Sequence, residues 1–389
     1  MIPTDRLPGP RPWRPGRLGR QIVAVAIAVV VALVGYGIYT NGGLFGGGGR
    51  AGAPTLTIYT YPSLFGGNCG GTPQFNETFG GFEAKYHVSI QVVCPTISLV
   101  GALLAQRGSP GADLVIGLDE LTAPVAQADG LLIPYEPPAA AFINGTLAAE
   151  LSPTWGVVPY EWGYLGIDYN TTFNSAQGGS IAHLSLDSIA QNRTLASNFL
   201  YENPTTSITG EEFLAWEVLY YQDVLHQPWE SFWNATLGVA PTSPDWGDAF
   251  SAFVAGPGAP GMVVSYTTDP ACAAFAPSYC GAPGSYNSTV SWFHGVPYGW
   301  RTVYGIGIVA GTTHPTLAEE FENWFLGPTV QSLIPTSEWM YPANSTVALP
   351  SVYDAAPNPA SFVPLNDALA PSSLAQAMLG WLDTWQSLS

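Results

Sequence analysis

Three short apolar segments decide the fold: TLTIYTY (residues 55–61), VSIQVVC (88–94) and ADLVIGL (112–118). Each is rich in the β-branched and aromatic residues that favour strands, and the second alternates its apolar side chains to one face. The two intervening stretches, residues 73–87 and 97–107, have apolar residues at helical spacing. This β-α-β-α-β order predicts a parallel sheet covered by helices.

The alternation of strands and helices continues along the rest of the chain. Further strand-like segments are VPYEWGYLGIDYN (158–170), GMVVSYTTDP (261–270) and YGIGIVAG (304–311). Helical patterns cover residues 315–334 and 375–385, and the second of these is amphipathic. Residues 200–260 carry a helical segment and turn-rich loops, which suggests a second lobe.

Ligands of parallel α/β sheets bind beyond the carboxyl ends of the strands. In this chain those ends are Tyr61, residues 94–96, and the adjacent Asp119 and Glu120. The acidic pair is a candidate for acid–base chemistry, although such a pair after a strand is more often a helix cap.

The charges of this chain are few and unevenly distributed. It has 389 residues, of which 47% are apolar and 10% charged, a composition that folds. Six of its ten Lys and Arg lie in the first 50 residues, whereas only Asp5 of its 28 Asp and Glu lies there. Binding a phosphate backbone needs Lys and Arg, so the composition argues against a nucleic-acid partner. The excess of acidic residues is compatible with a cationic or neutral small ligand. The alternative explanation is adaptation to an acidic medium, in which the carboxyl groups are partly neutral.

The N-terminal region predicts a membrane anchor. Residues 1–20 form a basic segment, and residues 22–39 contain no charge over eighteen positions, close to the about 20 that span a bilayer. The basic flank places the N-terminus in the cytoplasm and the remainder outside the cell. A glycine-rich linker follows at residues 41–54. An uncleaved helix over residues 21–40 is favoured over a cleaved signal peptide, because a signal peptide has a shorter apolar stretch.

Sequons and cysteines are also typical of an extracellular chain. Sequons of the form Asn-x-Ser/Thr, which predict N-glycosylation unless they reflect polar loops, occur at Asn76, Asn144, Asn170, Asn192, Asn234, Asn287 and Asn344. Disulfides are expected within two sequence-local groups, Cys69 with Cys94 and Cys272 with Cys280. The alternative for the first group is two free buried thiols.

Aromatic residues, and not enzyme motifs, stand out among the loops and strand ends. The sequence has no nucleophile elbow, Walker loop, dinucleotide fingerprint or His-Glu-x-x-His motif, and its histidines lack zinc-site spacing. We therefore expect neither catalysis nor a metal or other cofactor. The aromatic residues in question are Tyr61, Trp162, Trp246, Tyr266, Trp339 and Tyr341. Any one ring is more readily explained by packing, but together they suit a flat cationic ligand, with roughly 0.5 to 2 kcal/mol per stacked face.

Six segments together resemble the thiamine-binding proteins of the extracellular solute-binding, type II periplasmic binding protein superfamily. They are TIYTYPS (57–63), ADLVIGLDE (112–120), VPYEWGYLGIDYN (158–170), ENPTTSITGEEFLAW (202–216), VVSYTTDPA (263–271) and IPTSEWMYPAN (334–344). They occur in the family's order over residues 55–389.

This resemblance implies a two-lobed α/β fold, with a mixed, mostly parallel sheet flanked by helices in each lobe. Lobe 1 would cover residues 55–158 with part of 266–389, and lobe 2 would cover residues 159–265 with the remainder. Thiamine or one of its phosphate esters would be held in the cleft as ligand. The implied partners are an ABC transporter permease and its ATPase, and the chain would act as a monomer.

The resemblance also implies roles for individual residues. Those that match ligand-contacting rings are Tyr61, Trp246, Tyr266 and Trp339. Ser207 and Gly210 match a loop that gives donors to a phosphate group, as a helix N-terminus can. The remaining candidates for ligand binding are Asp119, Glu161, Trp162 and Tyr341.

Three departures from the family pattern concern the same cleft. The tryptophan after the first strand is replaced near Asn68, and no carboxylate stands at residues 95–96, after the second strand. A tyrosine six positions after Tyr266 is replaced by Cys272. A bridge from Cys272 would order a loop in which Phe275 or Tyr279 replaces the lost ring.

Other readings of the sequence stay open. The same cleft would also accommodate a sugar, a polyamine or a metal chelate. A different functional class is also open, in which the chain is a surface glycoprotein or a secreted hydrolase that uses Asp119 or Glu161.

Overall fold

The computed structural model describes residues 52–67 and 69–389. The predicted basic segment, the membrane anchor at residues 21–40 and most of the linker therefore lie outside the described residues. Within the described ranges, no helix has both the length and the apolar character that crossing a bilayer requires.

Thirteen strands in the described ranges join one mixed sheet. They are β1 (Thr55–Tyr59), β2 (Ser89–Val93), β3 (Leu114–Leu118), β4 (Leu132–Ile133), β5 (Val158–Asn170), β6 (Phe199–Glu202), β7 (Thr242–Ser243), β8 (Met262–Tyr266), β9 (Tyr286–Thr289), β10 (Ser291–Phe293), β11 (Val296–Val309), β12 (Tyr341–Pro342) and β13 (Val363–Pro364).

Helices cover the sheet and fill most of the connections. They are α1 (Pro73–Tyr86), α2 (Leu99–Ala105), α3 (Ala123–Ala128), α4 (Gly145–Leu151), α5 (Thr171–Ala176), α6 (Leu186–Gln191), α7 (Arg193–Ala196), α8 (Ile208–Leu219), α9 (Glu230–Thr236), α10 (Trp246–Val254), α11 (Asp269–Phe275), α12 (Pro277–Cys280), α13 (Pro315–Phe325), α14 (Pro328–Gln331), α15 (Ile334–Ser337) and α16 (Pro371–Leu388). A π-helical turn, Tyr220–Leu225, continues α8.

The sheet has parallel strands on both sides of a central antiparallel pair. Its main path runs β2-β1-β3-β11-β5-β8-β6-β7. β1 is parallel to β2 and β3, and β6 is parallel to β7 and β8. β11 and β5 are antiparallel to each other and to their outer neighbours, β3 and β8. The predicted α/β class and the parallel pairing of the first three strands are confirmed, while the centre of the sheet is antiparallel.

β5 and β11 are long enough to belong to both sides of the sheet. β11 pairs with β3 through residues 305–308 and with β5 through residues 300–306, while β5 pairs with β8 through residues 165–169. The register between β11 and β5 shifts between Tyr304 and Gly305. We call β1–β4 with the strand segments that pair with them the first half of the sheet, and β6–β9 with theirs the second half.

Aromatic side chains build the core on both halves of the sheet. On the first half, Phe79 of α1 stacks on Phe321 of α13, with ring centroids 5.8 Å apart. On the second half, Trp233 of α9 meets Trp385 of α16 edge to face at 5.7 Å. Such rings bury about 150–250 Å² each, so they contribute much of the apolar burial that holds the helices on the sheet.

Two boundaries differ from the sequence-based ones. The strand predicted at residues 304–311 is only the end of β11, which begins at Val296 because its first residues pair with β10. The helix predicted to end near Ile334 ends earlier, and Ile334 instead begins α15, where Pro335 in the first turn needs no N–H partner. The lobe boundaries near residues 158 and 265 stay a prediction, since residues 53–389 form a single unit.

Candidate functional site

Tyr61 lies just beyond the carboxyl end of β1 and binds two acidic side chains. Its phenol oxygen is 2.7 Å from that of Tyr160, 3.2 Å from Glu161 Oε1 and 3.1 Å from Glu338 Oε2. Because Tyr61 has one proton, it donates to one carboxyl group at a time, and the simplest pattern has Tyr160 donating to the phenol oxygen of Tyr61. The sequence did not single out Glu338, although it directly precedes the candidate Trp339.

A row of aromatic rings leads from Tyr61 into the second half of the sheet. The ring of Tyr61 is 6.1 Å from that of Tyr304 on β11. The phenol oxygens of Tyr304 and Tyr266 are 2.8 Å apart, and the ring of Tyr266 is 6.4 Å from that of Trp246. We call Tyr61, Tyr304, Tyr266 and Trp246 the ring row. It joins three of the predicted site residues, and it adds Tyr304, which the sequence placed in a strand but not in a site.

Trp246 is held at the end of the ring row by a buried polar network. Its indole Nε1 donates to Ser265 Oγ at 2.8 Å, and Ser265 in turn donates to Asp269. Asp269 Oδ2 also accepts the backbone N–H of Tyr266 at 3.2 Å. Burial raises the pKa of Asp269 to about 6, against the hydrogen bonds that lower it. One carboxyl group therefore orients two neighbouring rings of the row.

Trp339 forms a second aromatic group with the loop that the second disulfide closes. Cys272 and Cys280 are bonded, with Cα atoms 5.7 Å apart. The ring of Phe275, within this loop, lies 5.4 Å from that of Trp339, and Phe275 is 57% exposed. Tyr279 of the same loop is 62% exposed. The loop thus places the exposed ring of Phe275 beside Trp339, while the replacement of the lost tyrosine by Phe275 or Tyr279 stays a prediction.

The first disulfide, Cys69 with Cys94, is also present as predicted, with Cα atoms 5.6 Å apart. It connects the loop that follows β1 to the end of β2. The loop between Tyr61 and α1 is thereby attached to the edge of the sheet beside the ring row.

Asp119 and Glu120 serve local structure in the described part of the chain. Asp119 Oδ1 accepts the N–H groups of Leu121 and Thr122 at 3.1 and 2.8 Å. Glu120 accepts Trp300 Nε1 at 2.6 Å and the N–H of Val303 at 3.0 Å. Burial, and then the charge of Asp119, raises the pKa of Glu120 to about 8. Asp119 therefore stabilises the turn before α3, and Glu120 bonds to β11 and caps no helix, so hydrogen bonds within the fold account for both side chains.

Ser207 and Gly210 are likewise explained by packing. Ser207 is the N-cap of α8 and accepts the N–H of Gly210 at 3.4 Å. A Cβ added to Gly210 would lie 2.6 Å from the carbonyl oxygen of Glu202, so this position requires glycine for close contact between helix and strand. Burial raises the pKa of Glu211, in the first turn of α8, to about 8. The first turn of α8 thus contains a hydroxyl that already accepts a hydrogen bond and an acidic side chain, and it has no basic side chain that could bind a phosphate.

Trp162 and Tyr341 pack against each other, and Trp162 lies opposite Val303 in the pairing of β5 with β11. Their ring centroids are 4.7 Å apart across the β5–β12 pairing, and Tyr341 also contacts Tyr353 at 5.4 Å. Tyr341 is buried, whereas Trp162 keeps part of its surface exposed. Met340 is buried too.

Several of the predicted glycosylation sites are caps of helices or turns. Three that accept the N–H of the Thr two positions on, each at 2.9 Å, are Asn144, Asn170 and Asn192. Asn344 caps its turn likewise, but its Nδ2 also donates to the carbonyl of Leu326 and the residue is 1% exposed. The side-chain amide of Asn344 is therefore bonded and buried in the folded chain, and glycosylation at all seven positions stays a prediction. The others, which are exposed, are Asn76, Asn234 and Asn287.

Comparison with solved structures identifies the architecture as that of the periplasmic binding proteins. A periplasmic thiamin binding protein superposes with a TM-score of 0.69 at 24% identity, covering 88% of this chain and 99% of that one. A ferric binding protein from Campylobacter jejuni superposes with a TM-score of 0.69 at 16% identity, covering 86% of this chain and 99% of its own.

Comparison of sequences finds relatives that are named as thiamine-binding periplasmic proteins. The thiamine-binding periplasmic protein of Escherichia coli (strain K12) is 27% identical over 344 residues, which cover 86% of this chain and 93% of that protein. Its namesake in Brucella abortus biovar 1 (strain 9-941) is 28% identical over 338 residues, covering 85% and 90%. No family model matches the chain. The resemblance to thiamine-binding proteins is thereby confirmed, and these relatives are named as binding proteins, in agreement with the expectation of no catalysis.

Proposed function

We propose that this chain is the solute-binding component of an ABC importer and that it holds thiamine, or a closely similar cation, along the ring row. The observation that carries the proposal is the ring row itself, which crosses from one half of the sheet to the other with carboxyl groups at its first end. Aromatic faces attract flat cations, and the neighbouring acids complement the positive charge. The names of the sequence relatives support the same ligand class.

Three of the four Lys and Arg side chains that the structure describes have partners outside the ring row. Arg107 approaches Asp129 at 4.0 Å, Arg301 pairs with Glu150, and Lys85 lies over the ring of Tyr86. Since Ser207 and Gly210 also have local roles, added phosphates would gain little here. We therefore propose that thiamine binds at least as tightly as its monophosphate and diphosphate.

The remainder of the proposal concerns location and partners. We propose that residues 22–39 anchor the chain in the membrane, that residues 55–389 face outward, and that a monomer delivers its ligand to a permease with an ATPase. The apolar run with its basic flank supports the anchor, and the word periplasmic in the relatives' names supports an exterior location. Fractionation of expressing cells, with and without residues 1–40, tests it: loss of membrane association only in the truncated chain is expected.

Titration calorimetry on the full chain tests the ligand. Thiamine, its monophosphate and its diphosphate are each titrated into the wild type, Trp246→Ala and Trp339→Ala. Removal of one stacking ring is expected to weaken thiamine binding by about tenfold. Trp381→Ala, in the C-terminal helix, is the matched control and should bind as the wild type does. No heat with any of the three ligands contradicts the proposal, and unchanged affinity in both site variants removes the two tryptophans from it.

One observation favours a second candidate, a ferric chelate. The site has two pairs of phenol groups within hydrogen-bonding distance, Tyr61 with Tyr160 and Tyr266 with Tyr304. Against it, the described residues contain no group of three or more His, Cys, Asp and Glu that could hold a metal ion. Addition of ferric citrate distinguishes the two, because a visible tyrosinate-to-iron absorption band would appear only if the phenols bind iron.

A further inference from the structure

Glu161 and Glu338 share the phenol of Tyr61, but their surroundings differ. Glu338 also accepts the backbone N–H of Phe65. Glu161 is 2% exposed, and its Oε2 has no hydrogen-bond partner among the described residues. A buried carboxyl oxygen without a partner is costly, so Oε2 is available to a donor or a positive charge from a ligand.

The titratable side chains that bond to the two carboxyl groups are the phenols of Tyr61 and Tyr160, and the carboxyl group of Asp269 acts on Tyr279 and Tyr353 farther out. Tyr160 lies next to Glu161 on β5, and the charge of Glu338 acts on Tyr279 of α12. The charge of Glu161 acts on Tyr353, whose phenol donates to the carbonyl of Met340 at 2.9 Å. No Lys or Arg in residues 52–67 or 69–389 pairs with either carboxyl group. Nothing in these ranges neutralises a second negative charge.

The two groups therefore retain a proton when no cation is present. Burial raises the pKa of Glu338 to about 7. Burial, and then the charge of Glu338, raises the pKa of Glu161 well above its usual range. At neutral pH the pair therefore holds at least one proton in the absence of ligand. A bound positive charge would favour the ionised carboxylates and so displace that proton.

We propose that the Glu161–Glu338 pair receives the positive charge of the ligand and releases one proton to solvent as the ligand binds. This inference rests on the proposed function. One carboxyl O–H bond breaks, its proton passes to water or buffer, and the ligand cation takes its place, so the net charge of the buried cluster is unchanged. The pair would supply the carboxylate that the family pattern has after the second strand and that this chain lacks at residues 95–96.

Calorimetry with wild-type full chain and thiamine measures this exchange directly. Titrations at about pH 6.5 in two buffers of different ionisation heat give the number of protons released, and a value close to one is expected. Because the pair loses its proton on binding, affinity rises with pH, by up to about tenfold per unit between pH 5.5 and 7, and then levels. Proton release near zero with a flat pH profile overturns the inference while leaving thiamine binding, and so the proposed function, intact.

Two variants separate the pair from other acids. Glu338→Gln and Glu161→Gln keep the shape but cannot ionise, so each should weaken thiamine binding by about ten- to a hundredfold and reduce the proton release. Glu77→Gln, which removes an exposed carboxyl group on α1, is the matched control and should change neither quantity. The neutral tricyclic oxidation product thiochrome should bind the wild type with no proton release.

Three results would contradict these expectations. Thiamine affinity and proton release that are the same in both Gln variants as in the wild type overturn the assignment to this pair. Proton release with thiochrome equal to that with thiamine overturns the exchange for a positive charge. Absence of binding by thiamine and both its phosphates overturns the inference and the proposed function together. If a variant fails to fold, the proton count of the wild type still decides.

Discussion

At the scale of single residues, Trp339 carries a backbone conformation that its side chain does not favour. Its φ is 57°, in the left-handed region. For a residue other than glycine this region costs of the order of 1 to 3 kcal/mol. Its ring contacts Phe275 at the disulfide loop, and it directly follows Glu338, which accepts the phenol of Tyr61. Strained backbone conformations cluster at ligand-binding sites, so the left-handed φ of Trp339 agrees with a binding role for its ring.

Comparison of Trp339→Gly with Trp339→Ala tests this strain. Both variants lose the ring and should lose affinity for thiamine equally. Glycine relieves the left-handed backbone whereas alanine does not, so the glycine variant should be about 1 kcal/mol more stable. Urea unfolding measures the difference. At an unstrained position alanine is the more stable of the two, so an alanine variant equal to or above the glycine variant would refute the strain.

At the scale of secondary-structure elements, Arg301 ties the central strand β11 to its surroundings. Its guanidinium donates to Glu150 of α4 through Nε, at 2.8 Å, and through Nη2, and it also pairs with Asp367. The side chains of Arg301 and Glu150 are each 13% exposed. The pair is thus largely withdrawn from solvent, unlike the exposed pair of Arg107 and Asp129.

Arg301→Ala should destabilise the fold strongly, because it leaves Glu150 buried without its partner. The expected loss is about 3 to 5 kcal/mol in the free energy of unfolding. The matched control is Arg107→Ala, whose exposed pair should contribute about 0 to 1 kcal/mol. Chemical unfolding of both variants gives the comparison. If the two variants lost similar amounts of free energy of unfolding, the lower solvent exposure of the Arg301–Glu150 pair would not make it more stabilising than the Arg107–Asp129 pair.

The elements were largely predictable from the sequence, and the reason lies in their local patterns. The alternation in residues 88–94 and the helical spacing in residues 73–87 each gave an element close to the observed β2 and α1. The first part of β11 was missed because residues 296–300 show no clear apolar alternation, and pairing with β10 and β13 holds them extended.

The site was predictable only in part, because its chemistry depends on distant contacts. Tyr61 and Tyr266 were found within family segments, Trp246 was found as a match to a ligand-contacting ring outside those segments, and the ring row joins them. Glu338 was missed because it lies 277 positions from the phenol that it accepts. Sequence alone also could not separate a ligand-binding Tyr341 from one packed on Trp162.

At the scale of the whole molecule, many acids are buried with their pKa raised. Burial is the largest cause for Glu120 and Glu211, each to about 8, for Asp269, to about 6, and for Glu338, to about 7. The pKa of Glu217 is also raised well above its usual value. Since these values are higher in the folded than in the unfolded state, the folded state binds more protons.

Stability should therefore decrease as the pH rises from about 5 to about 8. A carboxyl group with a raised pKa contributes stability below its unfolded value, and that contribution is lost as pH passes through the folded value. Thermal unfolding across this pH range measures the trend, with a parallel series at high salt as control. Salt screens the repulsion between exposed acids but not the burial cost, so the trend should persist. Greatest stability above pH 7 would contradict it, as would a trend abolished by salt.

Tyr304 has two structural roles, because it belongs to the ring row and also stands at the shift of register in β11. Tyr304 contacts the rings on either side of it in the ring row, and it directly precedes the point where β11 changes its pairing with β5. β11 pairs with β3 only from Gly305 onward, and with β5 on both sides of that point, so the pairing of the strand changes where it carries a ring of the ring row. We therefore expect a substitution of Tyr304 to change the ring row and the pairing of β11 together, so that ligand affinity and the stability of the central strand pair would change in the same variant.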